Sequence, residues 1–435
     1  MDNDPNGVAS PPLTLSRRFY KIFPALAVPN YRLFMAGQAV SLIGTWMQGP
    51  VLSWVVYDLT RSTKALGTVS FLGQLPMTLL VIAAGVVADR HSRQTLITIT
   101  QSWLMLMALG LGIFASLGML NIGWIYMFAV LTGIAQAFDT PARQAFMVEV
   151  AGREALGNAI ALNSAMFNTA RVIGPTIGTI ILAAVGAAAC FYINAASFLA
   201  FIAVLVAMKG LHYRPMSTGS KGFKDLVDGL RYVAGHGDIL ILLVLTATFS
   251  LFGVYYSTLL PAFTRELYMK EATAYGVLIS CLGAGALVGA LVMAATSTSM
   301  RQQRLTVFGL GLTCLSLLSL SLITNYYAAC AVLVVYGYGM ISFLVSGNIL
   351  VQHLSDARYQ GRTMGVRHFV FGGMWTFGSL IAGYLPKYLG LRGTVAAGAG
   401  VMVAVLIFTA PRVLKIDITA LRTPPDGAAG DASKG

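Results

Sequence analysis

Beyond residue 31 the chain repeats one pattern: a continuous apolar run of 20 to 29 residues, then a short polar interruption. Runs of that length, coiled as helices, cross a hydrocarbon core of roughly 30 Å. Their apolar positions are contiguous rather than alternating, which is not the dyad repeat of a membrane β-barrel. Lipid offers no partner to a bare amide, so each run must close its own backbone hydrogen bonds as a helix. Twelve spans are expected, at 32–57, 65–88, 95–117, 121–140, 157–185, 187–208, 239–263, 273–297, 304–324, 326–351, 363–386 and 392–411. The pattern predicts an all-α integral membrane protein with twelve transmembrane helices.

The longest polar interruption, KGLHYRPMSTGSKGFKDLVDGLRYVAGHGD at 209–238, follows the sixth span and divides the chain six plus six. Its first half reads as a flexible linker, and FKDLVDGLRYV as a short amphipathic helix at the cytoplasmic surface. The halves match at a shift of 204 residues, which brings 149–158 onto 353–362, Gly174 onto Gly378 and Gly85 onto Gly289. A duplicated six-helix unit in parallel orientation is a transporter construction. The expected domains are an N-terminal tail (1–30), a first six-helix bundle (31–208), the linker (209–238), a second bundle (239–412) and a C-terminal tail (413–435). Both tails are polar and rich in small residues, and disorder is expected there.

Composition agrees with a bilayer protein: 57% of residues are hydrophobic, 10% are charged and mean hydropathy is +0.74. A soluble globule of this size could not hide so much apolar surface. The net charge of +13 would suit nucleic acid, but its distribution argues otherwise. Twenty-two Lys and Arg fall on one side of the expected spans, and six (Arg61, Lys64, Arg265, Lys270, Lys387, Arg392) on the other. That asymmetry places both termini in the cytoplasm and excludes a nucleic-acid partner. Arg17, Arg18 and Lys21 precede no short apolar core with a cleavage site, so the first span is expected to remain in the mature protein. Cys190, Cys281, Cys314 and Cys330 lie in or beside apolar spans and read as packing residues. No metal or other cofactor is expected, and no HExxH, GxSxG or equivalent suggests an enzyme.

Chemistry concentrates in a few places. GVVADRHSRQ, 85–94, gathers Asp89, Arg90 and Arg93 at the turn between spans two and three. Gly85 lets another helix approach closely, and Asp89 can face a helix amino terminus near 361–363. Arg171 reads as the one unambiguous mid-span charge, sharing a face with Ser164, Asn168, Pro175 and Gly178. It could attract an anionic substrate, respond to a proton, or be satisfied structurally by carbonyls. Span one carries a polar stripe of Gln38, Ser41, Thr45 and Gln48. Thr132 and Gln136 in span four, Ser250 and Tyr256 in span seven, and Tyr338 and Ser342 in span ten continue the theme. Each stripe could line a cavity or tie helices together. No Asp or Glu is expected in the middle of any span, which disfavours a cationic cargo.

Taken together, these features resemble the major facilitator superfamily. GVVADRHSRQ is similar to its loop motif Gly-x-x-x-Asp-Arg-x-Gly-Arg-Arg/Lys, with Gly85, Asp89, Arg90 and Arg93 in register and Ser92 and Gln94 departing. NTARVIGPTIG, 168–178, resembles the Gly-Pro motif of span five in exporters, especially proton antiporters. Gly174, Pro175 and Gly178 match, while Thr179 stands where a second Gly is usual. The segment 137–175 resembles the branch of enterobactin-type siderophore exporters and macrolide efflux proteins, with Asp139-x-Pro-x-Arg143 closing span four and an amphipathic linker following.

The resemblance implies two pseudo-symmetric bundles working by alternating access. It implies a latch in which Asp89 meets the start of span eleven and Arg93 pairs with an acid at the end of span four, for which Asp139 is the candidate. It also implies a central cavity lined by spans one, four, seven and ten. The expected function is export of a small neutral or anionic amphipathic molecule, siderophore-like or a drug, by proton antiport across a bacterial inner membrane. The protein is expected to act as a monomer. A flippase of lipid-like metabolites or a non-transporting sensor of the same fold is the alternative. His353 and His368 could carry protons, or simply serve topology and packing.

Overall fold

A computed structural model of the protein describes residues 23–208, 223–296 and 302–416. The tails expected to be disordered fall almost wholly outside these residues, and so does the first half of the linker. Every regular element among the described residues is helical. In chain order they are α1 (Pro29–Thr60), α2 (Thr63–Arg90), α3 (Arg93–Ser116), α4 (Ile122–Ala151), α5 (Leu156–Val185), α6 (Ala187–Ala207), α7 (Phe223–Ala234), α8 (Gly237–Leu267), α9 (Ala272–Thr296), α10 (Gln302–Leu322), α11 (Tyr326–Leu354), α12 (Gln360–Tyr384) and α13 (Pro386–Lys415). Among the described residues ten helices are long and apolar enough to cross a membrane. Two others, α2 and α12, have similar lengths of 28 and 25 residues. They pack against each other rather than exposing a full circumference.

Local chemistry sets the boundaries. Ser62, Ser92, Asn121 and Asn325 cap α2, α3, α4 and α11, each accepting from a backbone N–H of the first turn. Pro29 and Pro386 open α1 and α13, where a missing N–H costs nothing. Gly186, at φ 89°, separates α5 from α6. Gly152, at φ 75°, breaks α4 from α5 in a conformation that a Cβ would strain.

α1–α6 and α8–α13 each pack around their own core. The first holds Phe34 in ring contact with both Phe146 and Phe201, and the second centres on Phe249, Phe343, Tyr256 and Phe263. Two wide π-helical turns, Phe249–Gly253 and Phe263–Leu267, interrupt α8. Such turns loosen a helix locally and are common at functional sites. The strand-free bundle has two ends. The terminal end carries residues 23–28, α7 and Ile416; the distal end carries the α1–α2 and α9–α8 turns.

Two sequence readings change. The fourth span does not end at 140, since α4 continues to Ala151 and the stretch read as an amphipathic linker is mostly helix. Its charges mislead because they are neutralised inside the bundle: Asp139 by Arg143, and Glu149 by Arg93 at 3.0 Å. The amphipathic helix expected after the sixth span is present as α7, but it docks on α12. Arg362 pairs with Asp225 at 3.0 Å, Tyr232 stacks on Tyr359 with centroids 4.4 Å apart, and Gly229 lets α7 approach the Arg362 carbonyl. Burial in this contact raises the Tyr232 phenol above its ordinary range.

Candidate functional site

The halves meet along two seams, α2 with α12 and α5 with α9. On the first, Thr63 donates to the Gly383 carbonyl at 2.9 Å, Phe71 meets Phe377, and the Thr78 and Thr376 hydroxyls lie 3.0 Å apart. Gly67 and Gly383 touch backbone to backbone, so a Cβ on Gly67 would stand 2.7 Å from Gly383 Cα. On the second, Thr179 fills the space left by Gly276, Thr176 bonds Ser280, and Ser280 donates to the Val172 carbonyl at 2.8 Å. At the distal end Trp54 stacks on Tyr275 and Tyr57 donates to Glu266.

These contacts run from the distal end to mid-depth and then give way. Gly85, Gly361 and Gly365 have nothing within 4 Å of where a Cβ would sit. The conformer is therefore shut at the distal end and parted towards the terminal end. In it the close approach expected at Gly85 is not made. The Asp89 side chain lies outside the described residues, and Arg90 is exposed.

Where the seams part stands Arg171. Its guanidinium lies 6.0 Å from the Trp46 ring centroid, and Trp46 meets Phe167 edge-on at 5.3 Å. No carboxylate lies within ion-pair reach of it among the described residues. The motif residues beside it build the local geometry. Gly174 and Gly178 let α5 lie on the Trp46–Met47 backbone of α1. Pro175 has no N–H for the Arg171 carbonyl, which lies instead against Gly283 of α9. Thr179 donates to the Pro175 carbonyl at 3.0 Å, so the departure from Gly there satisfies a group inside the bent helix. The guanidinium and two aromatic faces together form a surface for a delocalised or anionic group.

Most of the residues expected to line a cavity are engaged inside one bundle. Gln38 donates to Asn163 of α5 at 3.0 Å, Ser41 donates to Gln101 of α3 at 3.3 Å, and Gln48 accepts from Asn194 of α6 at 2.6 Å. Thr45 donates to the Ser41 carbonyl of its own helix. The stripe ties helices together, because a buried amide or hydroxyl needs a partner more than a cavity needs a lining. Ser250 donates to the Phe371 carbonyl, Ser342 to the Tyr338 carbonyl, and Tyr256 is fully buried against Phe263. Thr132, Gln136 and Tyr338 are half-buried.

The partner expected for Arg93 was Asp139; the acid it meets is Glu149. Asp139 lies deeper, bonded to Thr100, Gln101 and Arg143. The expectation of no mid-span acid fails for the same reason: with α4 running to Ala151, Asp139 is inside the helix. Arg171 is also not alone. Arg367 is 8% exposed in α12, donating to Asn348 at 3.0 Å and to the Leu344 carbonyl at 3.1 Å. Trp46, Phe167, Tyr57 and Glu266 carry no reading from the sequence; the one-turn spacing to Arg171 was the available signal for Phe167 alone. His353 and His368 are exposed, each with Nδ1 at 2.8 Å from the carbonyl one turn back. Among the described residues no three His, Cys, Asp or Glu side chains converge as a metal requires.

The model of the transmembrane secretion effector family matches residues 22–425. The staphyloferrin A transporter of Staphylococcus aureus is 28% identical over 60% of this chain and 66% of its own length, just under two thirds. The multidrug efflux pump Tap of Mycolicibacterium fortuitum is 26% identical over 84% and 92%, and the enterobactin exporter EntS of Escherichia coli 24% over 93% and 96%. A bacterial homologue of the human lysosomal transporter Spinster, solved inward-facing and unoccupied, superposes with a TM-score of 0.72 at 14% identity, covering 91% of this chain and 98% of that one. The nucleoside transporter NupG gives 0.73 at 11%, covering 89% and 100%. The helical bundle with its two cross-half seams is thus the major facilitator fold, and the chain belongs to the transmembrane secretion effector family of that superfamily, a membrane transporter and not an enzyme.

Proposed function

We propose that the protein exports a small neutral or anionic amphipathic molecule, of siderophore or drug type, in exchange for protons across a bacterial inner membrane. Twelve spans return the chain to its starting side, and the bias of Lys and Arg puts both termini and α7 in the cytoplasm. The terminal end is then the inner end, and the conformer faces inward, able to load cargo from the cytoplasm. Alternating access follows when the seams close at the inner end and open at the distal end, with the Gly85–Asp89 turn latching against the start of α12. The protein acts as a monomer.

The observation that carries this reading is Arg171, at the apex of the opening beside Trp46 and Phe167 and without an acid partner among the described residues. A cation in lipid is costly to insert, by about 2.5–3.5 kcal/mol, and is kept where it faces protein, water or cargo. Staphyloferrin A and enterobactin, named for two relatives, and the drugs of Tap set the range of cargoes to try. The test compares metabolites retained by cells lacking the protein with those of complemented cells, then asks whether a protonophore stops their release. An unchanged metabolite profile on deletion and complementation would remove the exporter reading.

A further inference from the structure

We infer that the cleft between α7 and the α11–α12 turn binds a phosphate group, either the headgroup of an anionic phospholipid or a soluble phosphate ester. The cleft has a volume of about 410 Å³ and is lined by Asp228, Arg231, Tyr232, Arg358, Tyr359 and Arg362. Three guanidiniums therefore converge on one recess that has a single carboxylate in its wall. Arg362 is matched, pairing with Asp225 at 3.0 Å and with Asp228 at 3.8 Å. Arg231 and Arg358 are exposed, and among the described residues neither forms an ion pair. The wall behind them is held in place. Tyr232 lies flat on Tyr359, with centroids 4.4 Å and planes 8° apart, and His236 stacks on Tyr232 in turn at 4.0 Å. The Tyr232 hydroxyl accepts from the Asp356 N–H at 3.1 Å, and Arg358 and Arg362 stand 6.0 and 5.5 Å from the Tyr359 ring centroid.

Membrane topology does not account for this arrangement. Lys and Arg orient a helix wherever they stand in the flanking loop, and scattered positions would spare them mutual repulsion. Here two segments far apart in sequence bring theirs into one cleft, while Asp225 and Asp228 are engaged by Arg362. Asp356, the other acid of the turn, is exposed and does not line the cleft. A guanidinium presents paired N–H donors that fit two oxygens of one phosphate, so an anion of this kind relieves the repulsion and uses the free donors together. The surroundings suit a headgroup. α7 leads into α8 at Gly237, and Leu230, beside Arg231, is 43% exposed, an apolar side chain that an acyl chain can cover. Basic pockets on the cytoplasmic side of a membrane protein hold anionic headgroups in this way. A bound phosphate joins α7 to the α11–α12 turn. On the transport reading above it thereby steadies the start of α12, against which the Gly85–Asp89 turn closes.

The test uses the full chain in detergent, stripped of native lipid, with bound lipid counted by native mass spectrometry. Phosphatidylglycerol should bind in preference to phosphatidylcholine, whose choline cation the arginines repel. Combining Arg231→Gln with Arg358→Gln should weaken phosphatidylglycerol binding by about thirtyfold, the weight of two basic groups at an anionic surface. Arg231→Lys with Arg358→Lys should fall between, since the charge remains and the fork is lost. Arg412→Gln with Lys415→Gln, which removes two exposed cations of α13 at the same end, should change nothing. Glycerol 3-phosphate separates the two sources. If it raises the melting temperature of the parent but not of the doubly substituted Arg231 and Arg358 protein, a soluble phosphate is the occupant; if only phosphatidylglycerol binding responds to those substitutions, the lipid is. The assignment is overturned by equal binding of the two lipids with no response to glycerol 3-phosphate. It is equally overturned if the glutamines at 231 and 358 alter neither response, or if the Arg412 and Lys415 substitutions cost as much. None of these results touches the exporter reading, which stands or falls on the metabolite comparison.

Discussion

The Tyr57 phenol donates to the Glu266 carboxylate across the two halves, joining the last turn of α1 to the last turn of α8. The bond exists only while the distal end is shut, so its free energy belongs to that conformer. A hydrogen bond to a charged group contributes about 1.5–3 kcal/mol when shielded, and at this exposed end about 1 kcal/mol is the reasonable share. Tyr57→Phe should therefore move the population about fivefold towards the distally open state. Labels placed across the distal end, read by double electron–electron resonance, should report longer distances in Tyr57→Phe than in the parent protein.

The seam between α2 and α12 depends on backbone contact. A Cβ on Gly67 would stand 2.7 Å from Gly383 Cα, and neither backbone can yield as a flexible side chain would. Gly67→Val should hold the distal end apart and stop export, with protein levels in the membrane maintained. Gly85→Val makes the opposite prediction. The space at Gly85 is open in the described conformer, so the added side chain is accommodated there and obstructs only the state in which the inner ends close. Export should fall in both variants, while reagent labelling of a cysteine in the cavity separates them, with Gly67→Val reached from outside and Gly85→Val from inside.

How much of this could be read from the sequence depends on which physical quantity decides each feature. Apolar run length located the helices, because hydrocarbon thickness sets it, whereas the small residues of GPTIG at 174–178 pack on α1 of their own half rather than across the seam. Run length failed at span four. Asp139, Arg143 and Glu149 look like a solvated turn when counted singly, and only the partners of Asp139 and Glu149 on α3, far away in sequence, show that Asp139 is buried and Glu149 is paired. Periodicity also located the stripe of Gln38, Ser41 and Gln48 without saying which neighbour it faced. That information resides in Asn163, Gln101 and Asn194, on three other helices. Arg367 was hidden likewise, since its partners Asn348 and Leu344 stand on α11.

That stripe makes a prediction of its own. Gln48→Ala leaves the Asn194 amide without its acceptor, an unsatisfied group that costs about 1–3 kcal/mol in a protein interior. The variant should lose thermal stability in detergent. Cargo preference should stay as it was, because the side chain faces α6 and not the opening. Altered selectivity with unaltered stability would return Gln48 to the cavity wall.

Arg171 is the last case, and its chemistry separates charge from shape. Arg171→Gln removes the cation, and Arg171→Lys keeps it while giving up the planar guanidinium that lies over Trp46. If the group meets an anionic or aromatic part of the cargo, Arg171→Gln should abolish export and Arg171→Lys should weaken it by roughly tenfold, the scale of a cation–π contact out of water at up to about 2 kcal/mol. Trp46→Leu should weaken export to a similar degree as Arg171→Lys, and combining the two should add little, because each removes the same contact. The measurement is release of the cargo found in the metabolite comparison, with membrane levels and melting temperature recorded for each variant. A guanidinium that only satisfies the structure would instead lower the melting temperature in Arg171→Gln and leave the release rate per molecule unchanged. The double substitution sharpens the distinction further, since independent structural losses would sum while a shared cargo contact does not.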